Sequence, residues 1–284
     1  MMMINKRNRV VILSVFALCL MFLFCGCGAT DGLGETATSG NISTDGSTSM
    51  EKTIGSLGEA YMMEFADVNF TFNPTGSGSG IVAVADGRCD IGLSSRALKD
   101  EEKARGLTET VLAYDGIAVV VNPENTVADL SLDEIAAIYT GKITNWSELG
   151  GMDGEIVLVG REAASGTRSG FEEVVDVEGK CKYRQELTSS GDVMTSVAQN
   201  PNAIGYTSFA SINSDIKVIA VDGIAPSEDT IKNGSYVVQR PFVLVTRTDV
   251  PLSPTAQAFF DYITSAEAAS IISGAGVVAA SSEE

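Results

Sequence analysis

The sequence predicts an α/β fold of two lobes. Short apolar runs typical of strands alternate along the chain with stretches of helical periodicity, which is the pattern of α/β proteins. The part of the chain that can fold, beyond the leader and tether described below, is about 240 residues long, a length that favours two lobes over a single core.

The predicted elements follow one another in alternation. Strands are predicted at Asn69–Phe72, Asp90–Leu93, Ile117–Val121, Ile156–Val159, Ala203–Tyr206, Lys217–Ala220 and Phe242–Thr246. Helices are predicted at Met50–Phe65, Ile81–Asp86, Lys99–Arg105, Leu132–Tyr139, Arg168–Val175, Asp192–Asn200 and Pro254–Thr264.

The first residues indicate export. Lys6, Arg7 and Arg9 precede an uncharged apolar run from Val10 to Phe24. A basic region followed by an apolar run of this length is typical of a signal peptide, because a membrane span needs about 20 apolar residues. We therefore predict a signal peptide over residues 1–26; an uncleaved anchor helix is the alternative interpretation.

The leader ends in a segment that resembles a lipoprotein cleavage box, Phe24-Cys25-Gly26-Cys27. The resemblance implies that Cys27 is lipidated, with palmitate-type acyl chains that hold the protein at the outer face of the cytoplasmic membrane. The residues that follow are mostly Gly, Thr, Ala and Ser, which predicts a flexible tether over residues 27–41.

The overall charge is strongly acidic. The chain has 19 basic and 37 acidic residues, for a formal net charge of -18 at pH 7. This charge argues against nucleic acid as a partner. It does not exclude a small anion, because net charge governs the long-range field and a buried site can bind an anion through local dipoles.

The cysteine and histidine content excludes several classes of site. Outside the leader and Cys27 only Cys89 and Cys181 remain, which is no disulfide framework, and the sequence leaves open whether they are paired or free. The chain has no His, so a Ser-His-Asp triad and a His-ligated zinc site are excluded. We expect no enzyme activity, no metal and no cofactor.

Four segments place small hydroxyl residues and glycines directly before a helical stretch. They are Gly46-Ser47-Thr48-Ser49, Thr75-Gly76-Ser77-Gly78-Ser79-Gly80, Gly92-Leu93-Ser94-Ser95 and Ala164-Ser165-Gly166-Thr167. A helix start presents unpaired N–H groups and a positive dipole end, and hydroxyls add further donors. Arg161 can add a charged fork suited to a tetrahedral oxyanion. Each segment alone could equally be an ordinary helix cap, so the anion-site prediction depends on all four.

Several motifs occur in an order that is similar to one known family. They are the first two hydroxyl-rich segments, Asp90 through Arg96, Asp115 through Val119, Ile138 through Trp146, Arg161 through Arg168, and Ala203 through Tyr206. From about Ser43 to its end, the chain resembles the periplasmic or cell-surface phosphate-binding proteins of phosphate ABC transporters. This is a family of solute-binding proteins with the type II periplasmic-binding-protein fold.

The resemblance implies an architecture and a function. The fold is a Venus flytrap with lobe 1 over residues 42–116 plus 241–284, lobe 2 over 117–240, and crossover strands near Tyr114–Val121 and Tyr236–Phe242. The implied function is high-affinity extracellular binding of inorganic phosphate and its delivery to the permease subunits and ATPase of an importer. The alternatives are binding of another tetrahedral oxyanion, such as sulfate or molybdate, and a surface phosphate sensor.

The hydroxyl-rich segments and the resemblance together give ten candidate ligand residues: Ser47, Thr48, Ser49, Ser79, Ser95, Asp115, Arg161, Ser165, Gly166 and Thr167. Ser95 stands where some members of the family have an Asp that accepts the proton of hydrogen phosphate and so rejects sulfate. We hypothesise that Asp115 takes over this role; a turn cap is the alternative. Ala163 stands where an Asp often steadies the binding Arg, so Glu162 or another carboxylate is expected to orient Arg161.

Three further features of the sequence have alternative interpretations. Ser49-Met50-Glu51-Lys52 fits the Ser-x-x-Lys pattern of penicillin-recognising enzymes, but the Ser-Asp-Asn and Lys-Thr-Gly companion motifs are absent. Arg96 and Arg168 each follow a hydroxyl-rich segment. Either arginine could contact the ligand or pair with acidic side chains.

Overall fold

The computed structural model describes residues 39–280. Its strands are β1 Ser39–Gly46, β2 Asp67–Asn73, β3 Ile91–Ser94, β4 Leu107–Val121, β5 Asp129–Leu130, β6 Val157–Arg161, β7 Gln185–Leu187, β8 Ala203–Ser208, β9 Lys217–Val218, β10 Ala220–Val221, β11 Gln239–Arg247 and β12 Val278–Ala279. The predicted signal peptide, the lipidation at Cys27 and the tether up to residue 38 lie outside the described residues.

The α-helices are α1 Glu51–Glu64, α2 Ser77–Ala85, α3 Asp100–Lys103, α4 Leu132–Tyr139, α5 Gly166–Val174, α6 Ser190–Ala198, α7 Glu228–Lys232, α8 Pro254–Thr264 and α9 Ala269–Gly274. Short 3₁₀ turns cover Thr48–Met50, Trp146–Leu149, Phe209–Ser211 and Ala266–Ala268. Within residues 39–280, no helix combines the length and the apolar character that crossing a bilayer requires.

The main sheet is mixed and has the strand order β2-β1-β3-β11-β4-β8-β6-β7, with β9 and β12 also paired to β4. The three strands at one end, β2, β1 and β3, run parallel, as do β8, β6 and β7 at the other end. The central strands β11 and β4 pair with their neighbours in antiparallel fashion. Strands alternating with helices in such a sheet confirm the predicted α/β class.

The longest strand, β4, joins the two ends of the sheet. Its first part pairs with β11 from Leu107 to Gly116, and Ile117–Val121 pairs with β8. Every residue of Ile117–Val121 is buried, as expected of a strand covered on both faces. Asp115 and Gly116 therefore lie where the strand changes partner.

Separate hydrophobic cores lie on either side of that point. One is built mainly from residues 42–113 and 242–279, and Ile54, Leu57 and Phe259 are fully buried in it. The other is built mainly from residues 117–238 and includes Trp146 and Phe171. Leu112 and Ala113 of β4 thus belong to the first core, whereas Ile117, Val119 and Val121 belong to the second.

Two helices have the predicted bounds because their ends carry strong local signals. Ser131 Oγ accepts a hydrogen bond from the Glu134 N–H, and the Glu134 carboxylate accepts one from the Ser131 N–H, so a capping box starts α4. Ser253 caps α8, whose first residue is Pro254.

The predicted N-terminal tether is too long. Ser39–Asn41 already belong to β1 and pair with Asp67–Asn69 of β2. The strand was not predicted because Ile42 is its only large apolar residue, so it lacks an alternating pattern. Its backbone pairs with strands on both sides, which compensates for the weak pattern.

One further difference concerns element bounds, and the structure also decides between the two alternatives left open for the cysteines. The predicted strand Lys217–Ala220 is two short strands, of which β9 pairs with β4 and β10 with β5. Cys89 and Cys181 are both free. Burial raises the pKa of the Cys89 thiol to about 12 and that of Cys181 to about 11, so neither thiol is activated.

Candidate anion-binding site

Helix starts from both halves of the sheet meet in one buried cluster. The hydroxyl of Ser49, in the turn that opens α1, lies 2.8 Å from Thr167 Oγ1 at the start of α5. The same hydroxyl lies 3.1 Å from Ser190 Oγ at the start of α6. All three side chains are buried. Residues more than a hundred positions apart in the sequence thus share one polar interior.

A second group of hydroxyls continues this cluster. Ser47 Oγ donates to Ser95 Oγ at 2.9 Å, and Ser77 Oγ lies 3.2 Å from Ser95 Oγ and accepts from the Ser95 N–H. A Cβ added to Gly166 would lie 2.5 Å from Ser77 Oγ and 2.6 Å from Ser95 Oγ. The start of α5 can approach the start of α2 this closely only because residue 166 is glycine.

The backbone adds donors at the same place. Gly166 and Thr167 are the first residues of α5, and Ser77 and Gly78 are the first residues of α2. The N–H groups at a helix start have no acceptor within the helix and lie at the positive end of its dipole. One of them, the Gly78 N–H, donates to the Ala164 carbonyl oxygen at 3.0 Å and so joins the two helix starts.

Helix capping explains some of these hydroxyls. Ser165 Oγ accepts from the Arg168 N–H at 3.3 Å and caps α5. Ser47 precedes the turn that opens α1 but makes no capping hydrogen bond with its side chain. Ser165 is therefore an ordinary cap beside the cluster, whereas the Ser47 hydroxyl points into it.

Arg161 supplies the charge of the site. It ends β6 and is 1% exposed. Its Nη2 donates to Thr48 Oγ1 at 3.2 Å and its Nη1 to Ser190 Oγ at 3.3 Å. Burial, with a contribution from the positive charge of Arg240, lowers the pKa of Arg161 to about 10, so the guanidinium remains charged at neutral pH.

Within residues 39–280, no carboxylate contacts this guanidinium, although the charges of Glu162 and Asp192 oppose the fall in its pKa. None of the ion pairs within residues 39–280 includes Arg161. Against the expectation, neither Glu162 nor another described carboxylate orients the guanidinium by direct contact. Two carbonyl oxygens do so instead: Nε donates to Leu187 O at 3.2 Å and Nη2 to Thr188 O at 2.7 Å. A buried cation without a counter-ion is costly, and an anion in the cluster would remove that cost.

Asp115 lies next to the cluster, but its carboxylate faces other partners. It is fully buried and pairs with Arg240 at 3.0 Å. Its other oxygen accepts from Ser208 Oγ at 3.0 Å and from the Ala210 N–H at 3.3 Å. Burial raises the pKa of the Asp115 carboxyl, and Arg240 and these two donors oppose the rise. The structure links Asp115 to the cluster only indirectly, since Arg240 Nη1 donates to Ser95 O at 3.4 Å.

The side chain of Ser79 points away from the cluster, against the prediction. Ser79 is exposed, and it lines an open surface cleft of about 680 Å³. The prediction began the helix at Ile81, but α2 begins at Ser77. Because a helix turns by roughly 100° per residue, Ser77 and Ser79 point in nearly opposite directions, and Ser77 is the buried one.

Arg96 and Arg168 pair with acidic side chains. Arg96 holds Glu102 through two contacts, at 2.7 and 2.8 Å. Arg168 Nε donates to Glu172 Oε1 at 2.7 Å. Of the two alternatives considered for these arginines, the structure supports the ion pair.

Sequence reasoning missed three residues of the site: Ser77, Ser190 and Arg240. Ser189-Ser190-Gly191 before α6 has the same composition as the four chosen segments, so the signal for Ser190 was present. Arg240 lies opposite Asp115 in the β11–β4 pairing, 125 residues away in sequence. Nothing local in the sequence indicates that contact.

Comparison with known proteins gives a consistent answer. The family model described as the PBP superfamily domain matches residues 32–267. The phosphate-binding protein PstS of Bacillus subtilis (strain 168) is 31% identical over 274 residues, which cover 92% of this chain and 90% of that protein.

Solved structures agree. One from Clostridium perfringens, described as a phosphate ABC transporter substrate-binding protein with bound phosphate, has a TM-score of 0.79 and 39% identity and covers 84% of this chain and 99% of that one. The structure of an ABC-type phosphate transport receptor from Vibrio cholerae has a TM-score of 0.69 and 31% identity. The match covers 84% of this chain and 99% of that one. The mixed sheet and the converging helix starts agree with these similarities. The chain belongs to the PBP superfamily, within its family of phosphate-binding proteins.

Proposed function

We propose that this protein binds inorganic phosphate outside the cell and delivers it to the permease subunits and ATPase of an ABC importer. The observation that carries the proposal is Arg161, a buried guanidinium that forms no ion pair in the described part of the chain and that donates to the hydroxyls of Thr48 and Ser190. The relatives named above are phosphate-binding proteins, and one similar structure contains phosphate.

The donor set suits a tetrahedral dianion. Hydroxyls and helix-start N–H groups converge from several directions on one dry cluster, and a guanidinium supplies the charge. In a water-poor interior each of these hydrogen bonds is stronger than in water. A planar carboxylate would leave some of the donors without an acceptor, which is costly.

We further propose that the two cores are the two lobes, residues 42–116 plus 241–284 and residues 117–240. The separate cores on either side of the middle of β4 support this division. Ser49 and Thr167, which touch, come from opposite lobes. Ligand binding would then favour a closed arrangement, because only that arrangement brings both sets of donors onto one anion.

We also propose export and lipid anchoring through Cys27, supported by the leader and by the cleavage-box sequence. The test is metabolic labelling with a radioactive fatty acid in the native host. Label should enter the wild-type protein and be absent from Cys27→Ser, which should appear in the medium. Equal labelling of both forms would exclude Cys27 as the lipidation site.

The test of the main proposal is a calorimetric titration of residues 28–284 with phosphate, followed by sulfate and molybdate. One phosphate per protein should bind, and an excess of sulfate should not compete. Absence of phosphate binding would overturn the proposal. Tighter binding of sulfate or molybdate would assign the protein to another oxyanion.

The same titration tests the hypothesis about Asp115. If its carboxylate contributes to sulfate rejection, Asp115→Asn should bind sulfate more tightly relative to phosphate than the wild type does. The Asp115 carboxylate contacts Arg240 and Ser208. Any contribution to sulfate rejection would therefore be indirect, through the hydrogen bond from Arg240 to Ser95 O. An unchanged phosphate-to-sulfate ratio would remove Asp115 from ligand discrimination.

A further inference from the structure

A closed ring of hydrogen bonds lies behind Arg161 and begins and ends on its backbone. The Arg161 N–H donates to Tyr206 Oη at 3.2 Å, and Tyr206 Oη lies 2.9 Å from Tyr183 Oη. Tyr183 Oη donates to Glu172 Oε1 at 2.9 Å, and this oxygen also accepts from Arg168 Nε at 2.7 Å. Arg168 Nη1 donates to the Arg161 carbonyl oxygen at 3.0 Å and closes the ring.

The direction of every hydrogen bond in the ring follows from the groups present. The Glu172 carboxylate can only accept, so the Tyr183 proton is used on Glu172. Tyr183 Oη must then accept the proton of Tyr206, and Tyr206 Oη accepts the Arg161 N–H. Burial raises the pKa of both tyrosines above the ordinary value, so both hydroxyls stay protonated.

The ring connects two parts of the candidate site. Arg161 ends β6, whereas Arg168 and Glu172 belong to α5, whose first residues are Gly166 and Thr167. Packing holds the two tyrosines in place. The aromatic side chain of Tyr206 stacks on that of Phe171 with centroids 4.0 Å apart, and the Arg168 guanidinium lies 4.8 Å from the aromatic centroid of Tyr183. The strand that carries the charge and the helix that carries the N–H donors are therefore fixed relative to each other.

We propose that Tyr206, Tyr183, Glu172 and Arg168 are positioning residues that hold Arg161 in its ligand-binding position. Among the described residues, the guanidinium of Arg161 has no carboxylate partner, and its recorded hydrogen bonds go to carbonyl and hydroxyl oxygens. The ring of hydrogen bonds contacts the Arg161 backbone rather than its guanidinium, so the positive charge stays available to the anion. This inference rests on the proposed phosphate binding.

The test compares two tyrosine-to-phenylalanine variants of the full chain by phosphate titration. Tyr206→Phe removes the acceptor of the Arg161 N–H and should weaken phosphate binding about tenfold, or about 1.4 kcal/mol. The matched control is Tyr139→Phe, in which an equally buried hydroxyl has no hydrogen-bond partner among the described residues. The control should keep its phosphate affinity within twofold. If Tyr206→Phe does not fold, Tyr183→Phe takes its place in the titration, because the Tyr183 side chain is only half-buried.

A double-mutant cycle separates positioning from a general structural role. In an Arg161→Ala background, Tyr206→Phe should have no further effect on phosphate affinity, since there is no guanidinium to position. A tenfold loss that persists in this background, or wild-type affinity in Tyr206→Phe, would overturn the inference while the proposed function stands. If the wild type itself does not bind phosphate, the proposed function fails, and the ring is then no part of a phosphate site.

Discussion

At the scale of single residues, Arg161 determines the charge balance of the site. Its guanidinium is buried among hydroxyls and carbonyl oxygens, which accept four hydrogen bonds from its five N–H groups but do not neutralise its charge. The other deeply buried arginine of the described chain, Arg240, has Asp115 as a counter-ion. The contrast between the two arginines points to Arg161 as the one that awaits an anion.

We expect Arg161→Ala to weaken phosphate binding at least tenfold, or about 1.4 kcal/mol, because a buried positive charge that forms no ion pair within residues 39–280 is lost from the cluster. Arg96→Ala is the matched control, since Arg96 pairs with Glu102 outside the cluster. It should bind phosphate as the wild type does. Isothermal titration calorimetry of both variants measures the difference, and equal affinities of the two would remove Arg161 from the site.

The positions of Ser77 and Ser79 give a second prediction at this scale. Ser77→Ala removes a buried hydroxyl that contacts Ser95 twice and should weaken phosphate binding about fivefold, close to 1 kcal/mol. Ser79→Ala removes an exposed hydroxyl and should change affinity by less than twofold. The reverse order would show that the N-terminal turn of α2 is rotated in the phosphate complex.

The type of site could be predicted from the sequence more accurately than the identity of the side chains that form it. Hydroxyl-rich segments before helices, together with Arg161, identified where an anion could bind. Ser77 and Ser79 point in nearly opposite directions because both lie in α2, whereas the predicted helix began only at Ile81 and left both of them outside it. Ser190 could have been found by applying the same pattern to the segment before α6.

At the scale of elements, a buried ion pair joins the neighbouring antiparallel strands β4 and β11. Arg240 lies opposite Asp115 in their pairing, at the point where β4 leaves β11 for β8. The pair also receives hydrogen bonds from Ser208 and Ala210. Both strands therefore share one polar contact where they pass between the cores.

We expect Asp115→Asn to lower the free energy of unfolding by about 3–5 kcal/mol, because it leaves the Arg240 charge buried and uncompensated. Asp115→Asn combined with Arg240→Met should recover part of that loss. Asp86→Asn is the matched control: its ion pair with Arg88 is exposed, so about 0–1 kcal/mol is expected. Urea denaturation of the three variants provides the values, and a loss below 1 kcal/mol for Asp115→Asn would contradict the role of the pair.

At this scale, two features could not be predicted from the sequence: the strand β1 and the pairing of β4 with β11. Helices α4 and α8 were predicted with their bounds because Ser131, Glu134, Ser253 and Pro254 mark their starts locally. β1 has no alternating apolar pattern, and its place between β2 and β3 is set by backbone pairing with distant residues. The partner of Asp115 is set by the same kind of long-range pairing.

At the scale of the whole molecule, the contact between the starts of α2 and α5 offers a test of closure. The Gly78 N–H donates to the Ala164 carbonyl oxygen at 3.0 Å, and these residues come from opposite proposed lobes. A Cβ added to Gly78 would lie 3.3 Å from the Ala164 Cβ. That separation is slightly below the roughly 3.5–4.5 Å found across disulfides, so a small shift would allow the bond.

We expect the double variant Gly78→Cys/Ala164→Cys to form a disulfide faster with phosphate present, because bound phosphate increases the population of the closed form. The oxidised protein should release labelled phosphate at least tenfold more slowly than the reduced protein, since opening requires the two helix starts to separate. Reductant should restore release. The single variants control for Cys89 and Cys181, which are free, and oxidant should leave their release rates unchanged. Release that is equally fast in the oxidised double variant would mean that phosphate leaves without separation of α2 and α5, and the closure mechanism would be wrong.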